Sequence, residues 1–500
     1  MELSEKKKII IPYWKNQEKP SLGELYTDPL FPPNINSLLG LDKNGKPIDI
    51  KAYKENGSQI KKDEIEFRRA MDIFGNKYKL FSERIEMADV IQGSLGDCYF
   101  LSSVANLCKF PGLIKGLFKT KEMNRDGYYE IFFRIDGKKQ IVIVDDYFPV
   151  YKKNKWPCFS QPHGKELWVM LLEKAWAKVN GGYVNIIGGM SSQALECLTG
   201  FGSLVYNTNK MKPEELNNCK SEIIKNIKIA DQSYCLISCA TGEANFKDLE
   251  KVGLIQNHEY TILKIAQISL NQGKSEYLFK LRNPWGQKEW NGDWSDKSNL
   301  WTEILKNQLD FKDKEDGIFF MNSEDFFKYF KFITISYILH GSTVIKYTIE
   351  GEENLKNGCV FNVQIENEGV LSVSALRKNW RTNRELRGKG FPTHISIVKY
   401  NPNETDRFKT FSNYNGTYTS YETCTLNIKA NKGNYLIYVY RYFDNENYAN
   451  EQSMDIKIIC SANFNHAQMS YDDSKKGFPL LQNIILQAEI SKRKLGSKLG

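Results

Sequence analysis

The sequence predicts an α+β chain: a two-lobed core with a cysteine on a helix-led lobe and a histidine and asparagine on a strand-rich lobe, followed by an antiparallel β-sandwich. Three observations lead there. Apolar residues recur at helical spacing just after residue 98, two strand-like runs flank a turn between 258 and 283, and short alternating runs fill the chain beyond about 336. Five hundred residues with 41% hydrophobic content are enough for two to four domains, each with its own core.

The stretch QGSLGDCYFLSSVANL, residues 92–107, reads as a turn followed by a helix. Gly93 and Gly96 suit a sharp turn and Asp97 suits a cap. Leu101, Val104, Leu107 and Cys108 then follow on one helical face. Cys98 would start that helix, where the positive end of the dipole favours thiolate over thiol. Gln92, six residues earlier, could join the Cys98 N–H in binding an oxyanion. A lone cysteine opening an apolar helix is usually a small buried hydrophobe, so a partner base is required.

The five histidines stand at 163, 258, 340, 394 and 466. His258 opens the run HEYTILKIA; after NQGK at 271–274, the run EYLFKL leads into Arg282-Asn283-Pro284-Trp285. The midpoint of 258 and 283 falls beside that turn, so in an antiparallel hairpin His258 and Asn283 would face each other. Asn283 can then orient the imidazole, and Trp285, on the same side of an extended chain, can screen that bond from water. Cysteine, then histidine, then asparagine is the order of papain-type thiol proteases, although GDCYF is not the papain signature.

The remaining elements follow in order. Residues 1–24 read as a polar lead-in, and 25–200 as the first lobe, with a second helix signal from Glu166 to Val179. Residues 201–335 form the strand-rich second lobe. TVIKYTIE, CVFNVQI, VLSVSAL, HISIVKY and NYLIYVY place a β-sandwich over 336–466, and 467–500 form a basic tail. In that tail Leu480, Leu481, Ile484, Ile485 and Ala488 share a helical face ahead of Lys492, Arg493 and Lys494. Two readings stand for it: weak membrane-surface binding, assisted by the cationic run 377–389, or a helix packed on the body.

Composition narrows the class. No apolar run approaches the length of a membrane span, and KKKIII at the N-terminus gives way at once to Pro, Tyr, Trp and charge, so the expectation is a cytoplasmic protein. Ten cysteines without regular spacing, including Cys235 and Cys239 in an apolar run, suggest core thiols without disulfides. A net charge of +9 spread along the chain does not single out nucleic acid as a partner.

At the residues quoted, the chain resembles the calpain family of intracellular cysteine proteases, whose nucleophile segment looks like QGxLGDCW and whose asparagine segment looks like RNPWGxxEWxGxWSD. QGSLGDCYF has Tyr99 where Trp is usual; RNPWGQKEWNGDWSD at 282–296 and LLEKAWAKVNGGY at 171–183 also match. YTDPLFPPNINSL near residue 30 is similar to the family's N-terminal segment, and RKNWRTNRELRGKGFPTHISIVKY at 377–400 to its β-sandwich. The resemblance implies a papain-like core with Cys98 as nucleophile, His258 as base and then acid, Asn283 as orienter, Gln92 as oxyanion donor and Trp285 as shield. It also implies one Ca2+ site in each lobe: Asp89 and Glu173 match the first, Glu289, Asp296 and Asp316 the second.

Three departures stand out. Ile318 replaces a family carboxylate, which weakens the second site and leaves calcium dependence mainly to the first. Met87 replaces an arginine that pairs with that carboxylate. Glu259 replaces the usual Ala after the base and is expected to point to the opposite face. No EF-hand loop pattern occurs, so the resemblance is to an atypical, monomeric member with no small-subunit partner. The expected function is calcium-dependent endopeptidase action, making limited cuts in protein substrates through a Cys98 thioester. The alternatives are a catalytically silent calcium- or lipid-responsive adaptor, and an acyl transferase to amines.

Overall fold

A computed structural model describes residues 17, 23–41, 46–48, 62–135, 138–209, 211–233, 235–242, 246–270, 273–338, 342–351, 358–377, 393–400, 414–419, 423–441, 453–461 and 464–469. The tail 480–499 and the cationic run after residue 377 lie outside these residues. The chain divides into two compact units. One comprises Met1–Arg134, Lys139–Thr199 and Val205–Ile335, the other Ile135–Lys138, Gly200–Leu204 and Ser336–Gly500.

In the first unit, the helical spacing after residue 98 becomes the helix Cys98–Leu107, buried from Tyr99 to Leu107. Its apolar face is fully enclosed: Leu101 and Val104 have no exposed surface. Truncating either to alanine would cost about 2–5 kcal/mol, so this helix is a rigid base for whatever it presents at its start. Behind it lies Trp168–Val179, a helix buried at every position. Trp176 stacks on Phe100 and donates its indole N–H to the Tyr99 hydroxyl at 3.0 Å, so Tyr99 serves the core as a hydrogen-bond acceptor.

The strand-rich half forms a six-stranded sheet in the order Ile318–Asn322, Ser275–Arg282, Glu259–Ser269, Leu236–Thr241, Phe330–Ser336, Ser203–Asn207. The hairpin expected around residue 271 is present, but its register is not the one that places 258 opposite 283. Ser275 faces Ser269, the ladder slips between Lys280 and Leu281, and Arg282 faces Thr261. The offset is set at the turn, because Ser269 facing Ser275 centres it on residue 272 and not between 270 and 271, and the slip at Lys280 and Leu281 recovers only part of it. The sheet is tied to the helix Cys98–Leu107 by polar contacts: Ser102 shares a hydroxyl hydrogen bond with Thr261 at 3.1 Å, and the Asn106 amide donates to Ile237 O at 2.8 Å.

The second unit contains two antiparallel sheets. One has the order Thr343–Glu350, Ser453–Cys460, Gly369–Arg377, Thr423–Ala430. The other runs Tyr414–Thr419, Thr393–Tyr400, Gly433–Arg441, Cys359–Ile365, Phe464–Met469. Ile349, Val373 and Ile456 of the first and Phe361, Ile395 and Ile437 of the second enter one apolar cluster. Alternation along each strand supplies this shared core, as period-two patterning requires. All ten cysteines are free thiols. No helix among the described residues is long and apolar enough to cross a membrane.

Candidate active site

Cys98 is the first residue of its helix and is half-buried. Asp97 occupies the cap position, but its carboxylate does not cap: its φ and ψ of −105° and 30° turn the side chain away from the helix amides. Asp97 is buried against Glu173 instead, and each carboxyl feels the other. Gly93 is needed for close approach: a Cβ there would lie 2.0 Å from Phe159 O. Ser94 fixes the same contact by donating its N–H to Cys158 O at 2.8 Å.

His258 is held at the start of its strand by Thr241. The His258 N–H donates to Thr241 Oγ1 at 3.0 Å, and His258 O accepts from Thr241 N at 3.0 Å. The preceding Asn257 adopts φ 49°, a left-handed conformation asparagine tolerates, which turns the chain into this position. Despite the slipped ladder, His258 Nε2 and Asn283 Oδ1 meet at 2.8 Å. Asn283 is fully buried, and its amide nitrogen donates to Gln287 O at 2.8 Å and Lys288 O at 3.0 Å. Those two carbonyls fix which way the amide faces, so Asn283 presents oxygen and His258 Nε2 carries the proton. Nδ1 is thereby left with a lone pair to accept one.

Trp285 covers this pair, its ring centroid 4.9 Å from that of His258. Its N–H donates to Asn283 Oδ1 at 3.0 Å, and its indole N–H to Gln92 Oε1 at 2.9 Å. Gln92 also donates to Leu95 O at 2.6 Å, which leaves one of its two amide hydrogens for another acceptor. Cys98, His258, Asn283, Gln92 and Trp285 therefore all come from segments joined by these bonds.

Burial dominates the electrostatics. It pushes the Cys98 thiol up to about 12, opposed by the Glu259 backbone N–H and reinforced by the Glu259 and Asp97 carboxyls. It pushes His258 down to about 4, against the Asn283 hydrogen bond. Burial is the largest influence on each group and favours its uncharged form, the thiol of Cys98 and the neutral imidazole of His258.

The carboxylates expected to hold calcium are distributed unevenly. Asp89 accepts from Glu86 N at 2.8 Å and pairs with His163 Nδ1 at 3.0 Å. Glu173 is shut into the core, accepting from Ser160 N at 2.8 Å beside Asp97, so it shares none of the partners of Asp89. The carboxylate that acts with Asp89 on the buried Cys108 thiol, along with Arg282, is Glu166. Sequence reasoning missed it; the signal was its place one residue before the LW pair that opens the second buried helix.

Asp296 and Asp316 both lie close enough to Glu289 for their charges to act on it. Glu289 Oε1 accepts from Asp316 N at 3.0 Å and Gly317 N at 2.7 Å, and Asp296 Oδ2 accepts from Lys314 N at 3.3 Å. Burial and the neighbouring carboxylates raise Glu289 to about 7 and Asp296 to about 6. Among the described residues, no group of three or more His, Cys, Asp or Glu side chains is arranged to hold a metal ion.

A helix-borne thiol and a shielded His–Asn pair define a type of site, and the comparison with known proteins decides the family. Residues 26–337 match the model of the calpain family cysteine proteases. The chain belongs to that family. It is 31% identical over 332 residues to the calpain-type cysteine protease DEK1 of Zea mays, covering 65% of this chain and 14% of that protein. It is 34% identical over 277 residues to calpain clp-4 of Caenorhabditis elegans, covering 54% of this chain and 37% of that one. With the calpain-1 catalytic subunit of Mus musculus it shares 32% identity over 317 residues, 62% of this chain and 41% of that subunit. The match thus spans less than half the length of each of these calpains.

Proposed function

We propose that this calpain-family chain is a calcium-dependent cysteine endopeptidase that makes limited cuts in protein substrates through Cys98, His258 and Asn283. The supporting observation is the His258 Nε2 to Asn283 Oδ1 bond of 2.8 Å beneath Trp285, which directs the free lone pair of Nδ1 away from asparagine. Residues 25–200 and 201–335 are read as the two lobes of a papain-like core, and the paired sheets after residue 336 as the family's β-sandwich.

In this reading the Cys98 thiol gives its proton to His258 Nδ1, and the sulfur attacks the scissile carbonyl carbon. The Cys98 N–H, an orphan donor of the first helical turn, and the remaining Gln92 amide hydrogen accept the developing oxyanion. Imidazolium then protonates the leaving amine, a thioester remains on Cys98, and water activated by neutral His258 releases the second product. Asn283 keeps the proton on Nε2 throughout. Proton transfer from thiol to imidazole is uphill while both are held neutral by burial, so the site requires a change in surroundings to become reactive.

Calcium would meet that requirement, mainly through the first lobe as Ile318 implies; in the second, Glu289, Asp296 and Asp316 would supply hard oxygen donors whose repulsion a cation would relieve. When bound, it supplies positive charge. In the first lobe, Asp89 with Glu166 is the better pair, because Glu173 is enclosed with Asp97. Localisation to the cytoplasm, protein substrates and a monomeric state accompany this reading.

One observation favours a second reading. A thiol held at about 12 and an imidazole held at about 4 would also suit a catalytically silent, calcium- or lipid-responsive adaptor. Acyl-enzyme trapping separates the two. Incubation with an unfolded protein and rapid acid quench should leave a peptide thioester on the Cys98 peptide, absent in Cys98→Ala. No adduct at any calcium concentration supports the adaptor.

A further inference from the structure

Glu259 directly follows the base, yet its carboxyl group takes no part in the chemistry above. It is 7% exposed and accepts a hydrogen bond from the hydroxyl of Ser191, the first residue of the helix Ser191–Thr199. Ser238, on the neighbouring strand Leu236–Thr241, has a buried hydroxyl without a well-formed hydrogen bond, close enough to the same carboxyl to favour its charged form. The side chain thus bridges a helix of the first lobe and a strand of the second.

The same residue reaches Cys98 in two opposed ways. Its backbone N–H is directed at the thiol and favours thiolate, while its carboxyl, once charged, disfavours thiolate. Building on the reading of Cys98 as nucleophile, we infer that Glu259 is a positioning residue that sets the reactivity of Cys98, permissive as the neutral acid clamped by Ser191 and restraining as the carboxylate.

Burial raises this carboxyl to about 7, with the two serines pulling it down, so the switch falls within the physiological range. The titratable groups around it are few. Cys98 faces it from the start of the helix Cys98–Leu107, with Asp97 acting on Cys98 from the cap; Cys239 faces it from the strand Leu236–Thr241, and Tyr260 lies near Cys98 and Cys239 on its own strand. Of these, the three that are thiols or a phenol are raised by burial and stay neutral, and Asp97 is raised as well. Glu259 is a group whose charge changes near pH 7 and acts on Cys98, and the Glu259→Gln comparison isolates its effect from that of Asp97. His258 does not feel it: burial and Asn283 alone account for its shift, as expected for a neighbour on the opposite face of the strand.

The test is the rate of Cys98 alkylation by iodoacetamide in the purified full chain, mapped to the Cys98 peptide, with Cys98→Ala as blank. Sulfur forms a C–S bond, iodide leaves, and the thiol proton passes to solvent or His258. Glu259→Gln keeps a hydrogen-bond acceptor for Ser191 and removes the charge. Its rate relative to the natural chain should be about 1 near pH 5.5 and rise to about threefold or more near pH 8.5, because each unit in thiol pKa is tenfold in thiolate. Ser191→Ala, which withdraws a hydrogen bond from the charged form, should move the midpoint of this rise upward, and Glu259→Asp should restore the pH dependence. A ratio that stays constant with pH, or equal to about 1 throughout, overturns the inference. Alkylation is read directly on the thiol, so absence of proteolysis in the natural chain would count against the protease reading alone.

Discussion

Trp285 donates its indole N–H to the Gln92 side-chain oxygen at 2.9 Å, so the cover of the His258–Asn283 pair and the proposed oxyanion donor form one hydrogen-bonded unit. The bond joins the segment that carries Asn283 to the segment that carries Cys98. Removing the Gln92 side chain should lower kcat by about a hundredfold, the usual effect of losing one oxyanion donor. Trp285→Phe keeps a ring over His258 but frees Gln92 to rotate, and should lower kcat less. The double variant should be no slower than Gln92→Ala, because both changes act through one amide. Additive losses in kcat would mean that Trp285 acts independently.

Asn283 satisfies two carbonyls besides His258. Asn283→Ala should therefore cost about 1–3 kcal/mol in urea unfolding for the stranded groups, as well as about a hundredfold in kcat from a mis-set tautomer. Activity lost without any fall in the urea midpoint would show that the carbonyls find other donors.

The Asp97–Glu173 pair predicts a pH dependence of stability. Glu173 is raised from 4.5 to about 7 by burial, so it binds a proton in the folded state that the unfolded state releases. Its contribution is fully present below the unfolded value and is lost as pH rises towards the folded one. The natural chain should lose thermal stability between about pH 4.5 and 7, and Glu173→Gln should lose less over that window. Equal losses in the two proteins would place the proton elsewhere.

Glu289 and Asp296, raised to about 7 and about 6, should release protons when calcium binds. Titration calorimetry near pH 6.5 should then give heats that vary with the ionisation enthalpy of the buffer, and affinity should fall as the medium becomes more acidic. Ile318→Glu, which restores a carboxylate beside Asp316, should tighten binding. Heats independent of buffer would argue that these carboxylates are not the ligands.

How much of this was legible depended on how local each feature is. The helix from Cys98 could be read because Leu101, Val104 and Leu107 repeat at its period, and the hairpin because its turn residues lie between two strand-like runs. The register was not legible, since the residue on which the turn is centred, 272 as shown by Ser269 facing Ser275, is not fixed by the turn residues' types. The Asp97 carboxyl looked like a cap because capping is decided by backbone angles that residue type only suggests. Glu166 stands just before the helix that carries Glu173, and only packing determines which of them lies with Asp89 near Cys108. The Ser191–Glu259 bridge joins residues far apart in sequence and could be seen only in three dimensions.

Cleavage of an unfolded protein by the purified chain, followed across a calcium series with Cys98→Ala and His258→Ala in parallel, tests the central claim most directly. The expected result is calcium-dependent production of new chain termini by the natural protein and none by either variant. Cleavage that persists in Cys98→Ala would contradict it.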